Sequence, residues 1–260
     1  MIDTHCHILP GLDDGPETEE IAIAMARVAV EDGVEAITAT PHMREGDYLN
    51  ERAKVILAVD SFREVLARES IRLTIHYGSE VHLGPRMPER VAEAKLLTYG
   101  DRRNYLLLEC PYRSRPMRLE ETIFQLKVAG ITPVLAHPER IRHFQEDPSR
   151  YEELLRMGAL GQLTSSSLLG TFGVQIQRLS ESWVRRRMVH VLGSDAHDTK
   201  YRPPRLRDAR RRWAELTDEH SARLATEIWP SALLSGESIE PPEPLPPDPP
   251  KGIFARLFGK

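Results

Sequence analysis

Short β-rich runs alternate with longer amphipathic stretches along most of this chain, and this alternation restricts the fold more than any other feature of the sequence. The helical stretches carry apolar residues three and four positions apart and end on glycine, as in EEIAIAMARVAVEDG (19–33) and EETIFQLKVAG (120–130). Between such stretches we predict seven strands, which are Ile2–Cys6, Val34–Thr40, Arg72–Tyr77, Tyr105–Glu109, Ile131–Ala136, Ala159–Leu163 and His190–Gly193.

Strands that are separated by helices favour a parallel sheet, because each helix carries the chain back to start the next strand in the same direction. We therefore predict an α/β fold whose parallel sheet is closed, or nearly closed, into a barrel. A doubly wound open sheet has the same periodicity and remains the alternative. The length of 260 residues fits a single barrel domain.

Composition excludes several functional classes. The net charge of −4 and the pI near 6.2 give no electrostatic basis for binding nucleic acid or an anionic membrane. The two cysteines, Cys6 and Cys110, do not suggest a disulfide framework and fit a reducing compartment. The first residues lack the regions of a signal peptide, and no apolar run is long enough to span a membrane. We expect a soluble, cytoplasmic protein.

The C-terminal end differs from the preceding residues, so we assign residues 1–240 to one domain. The segment PPEPLPPDPP (241–250) predicts a stiff polyproline linker, because proline excludes helix and central strand. The last segment, KGIFARLFGK (251–260), can form a short amphipathic helix with basic residues opposite its phenylalanines. It is either a disordered tail or a peptide that contacts a partner protein or the inner face of the membrane.

Residues that can bind metal ions recur where predicted strands end. His5 and His7 are two residues apart at the end of the first strand and therefore project from the same face. The carboxyl ends of barrel strands converge on one face, where active sites are built. The candidates at the later strand ends, together with one from the loop after the first strand, are His42, Glu80, Glu109, His137, Asp195, His197 and Asp14.

Five histidines and four carboxylates are too many for one ion with four to six ligands, so the set predicts two or three divalent ions. Nitrogen and oxygen ligands without cysteine suit Mn²⁺, Fe²⁺ or Zn²⁺. Asp3 shares a strand face with His5 and either orients an imidazole or forms a buried hydrogen bond. His82 is a candidate for the rim of the site, and the remaining histidines are interpreted as structural.

Seven fragments in fixed order carry a family resemblance, and they are HCH (5–7), PGLDDG (10–15), TPH (40–42), GSEV (78–81), LLLECPY (106–112), AHPER (136–140) and SDAH…RPP (194–204). Together they resemble the PHP (polymerase and histidinol phosphatase) superfamily. Within it they are most similar to bacterial manganese-dependent protein-tyrosine phosphatases of the CpsB/CapC/YwqE type. The resemblance implies a PHP-type distorted (β/α)7, TIM-like barrel and a catalytic domain over residues 1–240.

The same resemblance implies a cluster of three metal ions, with manganese the expected metal. One ion would bind His5, His7, Glu80 and Asp195. Glu80 would bridge to a second ion bound by Glu109 and His137, although which carboxylate bridges is left open. The third ion would bind Asp14, His42 and His197.

The implied reaction is hydrolysis of phosphotyrosine in proteins by metal-activated water. Arg140 and Arg202 match phosphate-binding positions, and a guanidinium group can bind two phosphate oxygens at once. His42 is also assigned to the catalytic set. The expected substrate is a bacterial tyrosine kinase that regulates capsular or exopolysaccharide synthesis. The sequence is also compatible with a homo-oligomer.

The sequence also bears on three other functions. A cysteine-dependent phosphatase needs an arginine six residues after its nucleophile, but Arg115 follows Cys110 by five. A small-molecule phosphomonoesterase resembling histidinol phosphatase is the nearest alternative, and Asp14 and Glu109 argue against it because that branch is expected to carry histidines there. A non-catalytic metal-binding scaffold would be expected to have lost ligands, and the sequence retains all nine.

Overall fold

The computed structural model describes residues 1–246 of the chain. Within those residues every strand pairing between named strands is parallel. The strands are β1 (Ile2–Cys6), β2 (Ala36–Ala39), β3 (His42–Met43), β4 (Thr74–Tyr77), β5 (Glu80–His82), β6 (Tyr105–Glu109), β7 (Thr132–Ala136), β8 (Leu160–Thr164) and β9 (Val191–Gly193).

The strands close into a barrel in chain order. Strands β2 and β3 together occupy the second strand position of the barrel, and β4 and β5 together occupy the third. Strand β2 pairs with β1 on one side and with β4 on the other. Strand β3 pairs with β5, which in turn pairs with β6. Pairing then continues from β6 to β9. The last strand returns to the first through a parallel bridge between Cys6 and Ala196, and the amide of Asp195 donates to the carbonyl of His5 at 2.7 Å. The predicted seven-stranded barrel is confirmed, and the open sheet is excluded.

Two strand predictions were too simple. The run predicted as Val34–Thr40 forms β2 only over Ala36–Ala39, and the chain pairs again as β3 after Pro41. The run predicted as Arg72–Tyr77 is likewise shorter, and β5 follows after Gly78 and Ser79. Strands of two or three residues are too short to produce a periodic signal. Both interruptions lie just before a candidate ligand.

Helices cover the outside of the barrel. The 310 turns are Tyr99–Asp101 and Pro138–Arg140, and Leu224–Ile228 forms a π-helical turn. The α-helices are α1 (Glu19–Glu31), α2 (Arg52–Arg68), α3 (Met87–Ala92), α4 (Leu119–Val128), α5 (Arg142–Glu146), α6 (Pro148–Arg156), α7 (Ser165–Leu168), α8 (Val174–Arg185), α9 (Arg207–Leu216), α10 (Glu219–Arg223) and α11 (Trp229–Ser235).

In helix α1, the apolar residues that repeat at helical spacing in the sequence pack into the core. Thr18 caps its N-terminus by accepting a hydrogen bond from the amide of Ile21. The buried stripe includes Ala22, Met25 and Ala29, which are fully buried in the main core. Gly33 then adopts a φ of +85°, a left-handed conformation that glycine accepts without strain. The helix predicted over EEIAIAMARVAVEDG is therefore observed.

Residues 241–246 are the part of the proline-rich segment that the structure describes, and Leu245 in this part contacts the end of α8. Arg186, which follows α8, donates from Nε to the carbonyl of Leu245 at 3.0 Å, and the amide of Leu245 donates to the carbonyl of Arg186 at 2.9 Å. Residues 247–250 of the predicted linker and the predicted tail 251–260 lie outside the described residues. None of the helices within residues 1–246 has both the length and the apolarity needed to cross a membrane.

Candidate metal centre

The nine predicted ligands lie together at the carboxyl ends of the strands. Most of them are buried, with seven at most 8% exposed. His42 keeps 15% of its side chain exposed and Asp14 keeps 49%, so these two face the opening. The strands thus bring into one pocket side chains that are separated by up to 192 positions, between His5 and His197.

The deepest group surrounds His5 and His7. Their Nε2 atoms lie 3.1 Å apart. Oε2 of Glu80 is 3.4 Å from each of these nitrogens. Oδ1 of Asp195 is 3.4 Å from His5 Nε2 and 3.5 Å from His7 Nε2. Two nitrogens and two carboxylate oxygens therefore face one point in the interior.

A second group extends from Glu80 toward the surface. Nδ1 of His42 lies 3.0 Å from Oε2 of Glu80 and 3.8 Å from Oε2 of Glu109. Nε2 of His137 lies 2.8 Å from the other Glu80 oxygen, Oε1. The three ligand atoms that lie mutually close in this group come from His42, Glu80 and Glu109, whereas the resemblance implied His137 in place of His42.

The third group lies at the opening. Nε2 of His42 is 3.4 Å from Oδ1 of Asp14, and Nε2 of His197 is 3.3 Å from the same oxygen. His7 also has a ligand atom within 4.8 Å of these three. His7, Glu80 and His42 each belong to two groups, so the three groups form one continuous cluster.

Burial and neighbouring charges shift the pKa values of several residues in this cluster. Burial and the neighbouring Glu80 carboxylate raise the pKa of Glu109 to about 8. Burial lowers the pKa of His137 to about 4. Burial also opposes ionisation of Glu80, but the charges of His5 and His42 hold its pKa well below the usual value. The pocket therefore concentrates carboxylates that need a positive charge beside them.

The donor set fits divalent cations. Several buried side-chain atoms within residues 1–246 have no hydrogen-bond partner, and three of them are His42 Nδ1, Glu80 Oε2 and Glu109 Oε2. These are the same atoms that face one another in the second group. An unpaired buried polar atom destabilises a protein by about 1–3 kcal/mol, so a cation bound between them would remove a real penalty.

Two arginines border the cluster through one carboxyl group. Arg140 and Arg202 both donate to Oδ2 of Asp195, whose other oxygen faces the deepest group. The guanidinium of Arg140 lies between two aromatic rings, 5.0 Å from the centre of Tyr112 and 4.5 Å from that of Phe172. An anion that binds both arginines would therefore sit beside the ligand cluster.

Arg202 is positioned by its own loop. Oδ1 of Asp198 accepts hydrogen bonds from the amides of Lys200 and Tyr201, both at 2.6 Å, and from the amide of Arg202 at 3.3 Å. Both arginines line an open cavity of about 610 Å³ together with His42 and Tyr48. The cavity is wide enough to admit a group larger than a free ion.

Sequence reasoning missed residues that orient the ligands. Oδ2 of Asp13 lies 2.7 Å from Nδ1 of His7 and accepts from the amide of His42 at 2.8 Å. Oε1 of Gln162, on β8, lies 2.8 Å from Nδ1 of His5. Each contact leaves the opposite ring nitrogen, Nε2, facing the cluster. The first aspartate of PGLDDG and an amide in the middle of an apolar strand were the available signals.

Asp3 orients a turn and not an imidazole. Its Oδ1 accepts from the amide of Ser194 at 2.8 Å, and its Oδ2 accepts from the Ser194 hydroxyl at 2.5 Å. Of the two roles considered for Asp3, the buried hydrogen bond is therefore the observed one. The contact holds the turn that presents Asp195.

Cys110 is unsuited to nucleophilic attack. It is 2% exposed, and burial and the adjacent Glu109 raise the pKa of its thiol well above the usual value. A cysteine-dependent mechanism has no support in this geometry.

Comparisons with known proteins agree with the motifs. The chain is 37% identical over 249 residues to tyrosine-protein phosphatase YwqE of Bacillus subtilis, covering 94% of this chain and 96% of that protein. It is 32% identical over 203 residues to the putative tyrosine-protein phosphatase CapC of Staphylococcus aureus, covering 78% and 79% of the two chains.

A solved structure gives the same result. It comes from work on YwqE of Bacillus subtilis and CpsB of Streptococcus pneumoniae, described there as unique metal-dependent tyrosine phosphatases. It matches with a TM-score of 0.90 at 36% identity and covers 95% of this chain and 99% of that chain. The family model described as "Capsular polysaccharide synthesis, CpsB/CapC" matches residues 1–234. The family predicted from the motifs is confirmed, and this chain belongs to the CpsB/CapC family.

Proposed function

We propose that this protein is a metal-dependent protein-tyrosine phosphatase that hydrolyses phosphotyrosine on proteins. The observation that carries the proposal is one carboxyl group, that of Asp195, shared by the ligand cluster and by Arg140 and Arg202. In this arrangement, a phosphate group bound by the two arginines would lie next to the metal ions. The names of the relatives, which are tyrosine-protein phosphatases, support the same substrate class.

The proposed cofactor is two or three divalent cations, with manganese first and iron or zinc as alternatives. Bound cations would lower the pKa of a water molecule and offset the negative charge that develops on the phosphate. The mutual proximity of their ligand atoms supports assigning as ligands His5, His7, Asp14, His42, Glu80, Glu109, His137, Asp195 and His197.

Arg140 and Arg202 are proposed to bind the phosphate. Each presents a guanidinium fork that can donate two parallel hydrogen bonds to phosphate oxygens. The rings of Tyr112 and Phe172 restrict the Arg140 side chain, so less conformational entropy is lost when the phosphate binds. His42 belongs to two ligand groups and is partly exposed at the opening, and it is therefore proposed as part of the catalytic set.

The chemistry of the leaving group supports tyrosine. A phenol has a pKa near 10 and leaves more readily than an alkoxide, so a phosphotyrosine depends less on a general acid. The Tyr112 hydroxyl approaches the cluster, 3.1 Å from Nε2 of His137, but burial raises its pKa well above the usual value. It is therefore a poor proton donor at neutral pH.

The cellular role is proposed from the family. The substrate would be a bacterial tyrosine kinase that regulates capsular or exopolysaccharide synthesis, and the protein would act in the cytoplasm. Residues 1–240 would form the catalytic domain, with 241–250 as a linker and 251–260 as a tail that contacts a partner or the inner face of the membrane. A homo-oligomer is compatible with this proposal, and nucleic acid is not a proposed partner.

The test combines metal analysis with turnover of a phosphotyrosyl peptide and of histidinol phosphate. We expect bound divalent metal and a preference for the peptide. His42→Ala should lower peptide turnover by about 100-fold or more, because it removes a ligand from two groups. His220→Ala, at an exposed position on α10, is the matched control and should leave turnover unchanged.

Undiminished turnover in His42→Ala would contradict the proposed mechanism. A preference for histidinol phosphate over the peptide would instead support the small-molecule phosphomonoesterase. Turnover of neither substrate by metal-loaded protein would favour the non-catalytic scaffold.

A further inference from the structure

A second cavity lies beside the proposed active site. It has a volume of about 680 Å³ and is formed by the segment between β5 and α3 on one side and the segment between β6 and α4 on the other. Arg44 lines both this cavity and the one that holds the ligand cluster. We call this cavity the flanking groove and define it by Arg44, Leu83, Arg86, Arg115, Met117 and Arg118.

Among the residues that line the flanking groove, arginines outnumber carboxylates. Four arginines line it, against the carboxylates of Glu89 and Glu121. Among the four, Arg118 pairs with Glu121 at 2.6 Å and Arg44 pairs with Asp47 at 3.0 Å. Arg86 pairs with Glu93 at 3.2 Å.

Arg115 is the arginine that has no internal partner. Its side chain makes neither an ion pair nor a hydrogen bond within residues 1–246, and the residue is exposed. It lies three residues after Tyr112, whose ring packs against Arg140. Its charge is therefore available to a ligand that also reaches the phosphate-binding arginines.

Apolar side chains line the same groove. Met117 is 76% exposed, and Leu83 and Pro111 also contribute to the lining. A free anion would not use this apolar surface. A polypeptide with acidic and apolar side chains matches both properties, because its backbone can extend away from a phosphotyrosine held between the arginines.

The following inference rests on the proposed phosphatase function. We infer that the flanking groove binds the polypeptide next to the phosphotyrosine and favours substrates with acidic residues on that side. Charge complementarity and continuity with the proposed active site through Arg44 are the observations that carry it. Arg115 is then a specificity-determining residue that does not touch the reacting phosphate.

Kinetics on three substrates test this inference. The first is p-nitrophenyl phosphate, which has no polypeptide, and the other two are phosphotyrosyl peptides with glutamate or with lysine placed before and after the tyrosine. Wild-type protein should prefer the glutamate peptide. In Arg115→Glu we expect the KM for that peptide to rise about three- to tenfold, because charge reversal turns an exposed attraction into a repulsion.

The same variant should keep its kcat for the glutamate peptide and its kcat/KM for p-nitrophenyl phosphate, and its KM for the lysine peptide should fall. Arg211→Glu, on α9 and also highly exposed, is the matched control and should behave like wild type. Both positions are exposed, so neither substitution threatens folding.

Several results would overturn the inference. If wild type hydrolyses both peptides with equal KM, or if Arg115→Glu changes no peptide KM, the flanking groove does not select substrate and the phosphatase function is untouched. If wild type hydrolyses none of the three substrates, the proposed function itself fails. If Arg115→Glu only dissociates a dimer in size-exclusion chromatography, a second copy occupies the groove instead.

Discussion

At the residue scale, the single side chain of Asp13 positions two of the proposed metal ligands, His7 and His42. Its carboxylate contacts Nδ1 of His7 and the amide of His42, and its Oδ1 accepts from the amide of Gly15 at 3.0 Å. It thereby fixes the orientation of one proposed ligand and the backbone position of another. Its contacts to His7, to the amide of His42 and to the amide of Gly15 lower the pKa of Asp13 despite burial, so it remains ionised at neutral pH.

We predict that Asp13→Asn lowers phosphotyrosyl-peptide kcat/KM, or metal affinity, by about 10- to 100-fold, the range typical for residues that orient metal ligands. The amide keeps the shape of the side chain but loses the charge that orients His7. Metal titration and steady-state kinetics on the same preparation would separate the two effects. Asp208→Asn, at an exposed position on α9, is the control. Wild-type values in both assays would show that Asp13 has no positioning role.

His190 links two strands at the element scale. Its Nδ1 accepts a hydrogen bond from the amide of Gly161, and its own amide donates to the carbonyl of Gly161, both at 2.9 Å. These contacts join the approach to β9 with β8 at the buried base of the barrel. Burial lowers the pKa of His190 to about 4, so the ring stays neutral in the folded protein near neutral pH.

This pKa shift predicts a stability change with pH. Above pH 6.5, His190 is neutral in both the folded and the unfolded chain. Between pH 6.5 and about 4, the unfolded chain binds a proton that the folded chain excludes, so the free energy of unfolding falls as the pH falls. The full loss amounts to about 3 kcal/mol.

The measurement is urea unfolding at a series of pH values for wild type and His190→Asn. Asparagine offers an oxygen near the position of Nδ1, so the contact with Gly161 is retained while the titrating group is removed. We expect the variant to lose less stability between pH 6.5 and 4 than wild type. His220→Asn, exposed on α10, should follow wild type. Parallel curves for wild type and His190→Asn would contradict the assignment.

The elements were largely predictable because their signals are periodic. Strands β1 and β6 have the predicted bounds, and helix α1 begins at the predicted residue. Strand β8 is displaced by one residue, since Thr164 continues the ladder by pairing with Gly193. Strands β3 and β5 were not predicted, because their pairing depends on neighbours across the barrel and not on their own residues.

The site was predictable only where the chain repeats a pattern. Ligand-type residues at strand ends stand out once the strands are known, and the nine side chains lie together. The orienting contacts of Asp13 and Gln162 have no such pattern, and neither has the position of Phe172 over Arg140. The contact of Gln162 with His5 joins residues 157 positions apart, and that of Asp13 with His7 depends on the conformation of the loop between them, so only the folded chain reveals them.

The whole barrel should respond to metal, because the proposed ligands come from six of its seven strand positions. Cations that bind the folded chain and not the unfolded chain stabilise it by about 2.7 kcal/mol at 100 times the dissociation constant. For a domain of this size that free energy corresponds to roughly 5–10 °C.

We therefore predict that chelation lowers the melting temperature by several degrees and that Mn²⁺ restores it, as measured by differential scanning calorimetry. His42→Ala should show a smaller recovery, because it lacks a shared ligand. His220→Ala should recover fully. A melting temperature that does not respond to chelation would contradict metal binding by the native fold.

The join between β9 and β1 has a consequence for how the protein is made. His5 lies on β1 and His7 directly follows it, whereas Asp195, which faces both, follows β9 and is synthesised much later. A chain emerging from the ribosome therefore exposes two imidazoles long before their carboxylate partner exists. A metal site built from these three side chains would therefore form only after β9 has joined β1, so the proposed activity would appear only in the completed barrel.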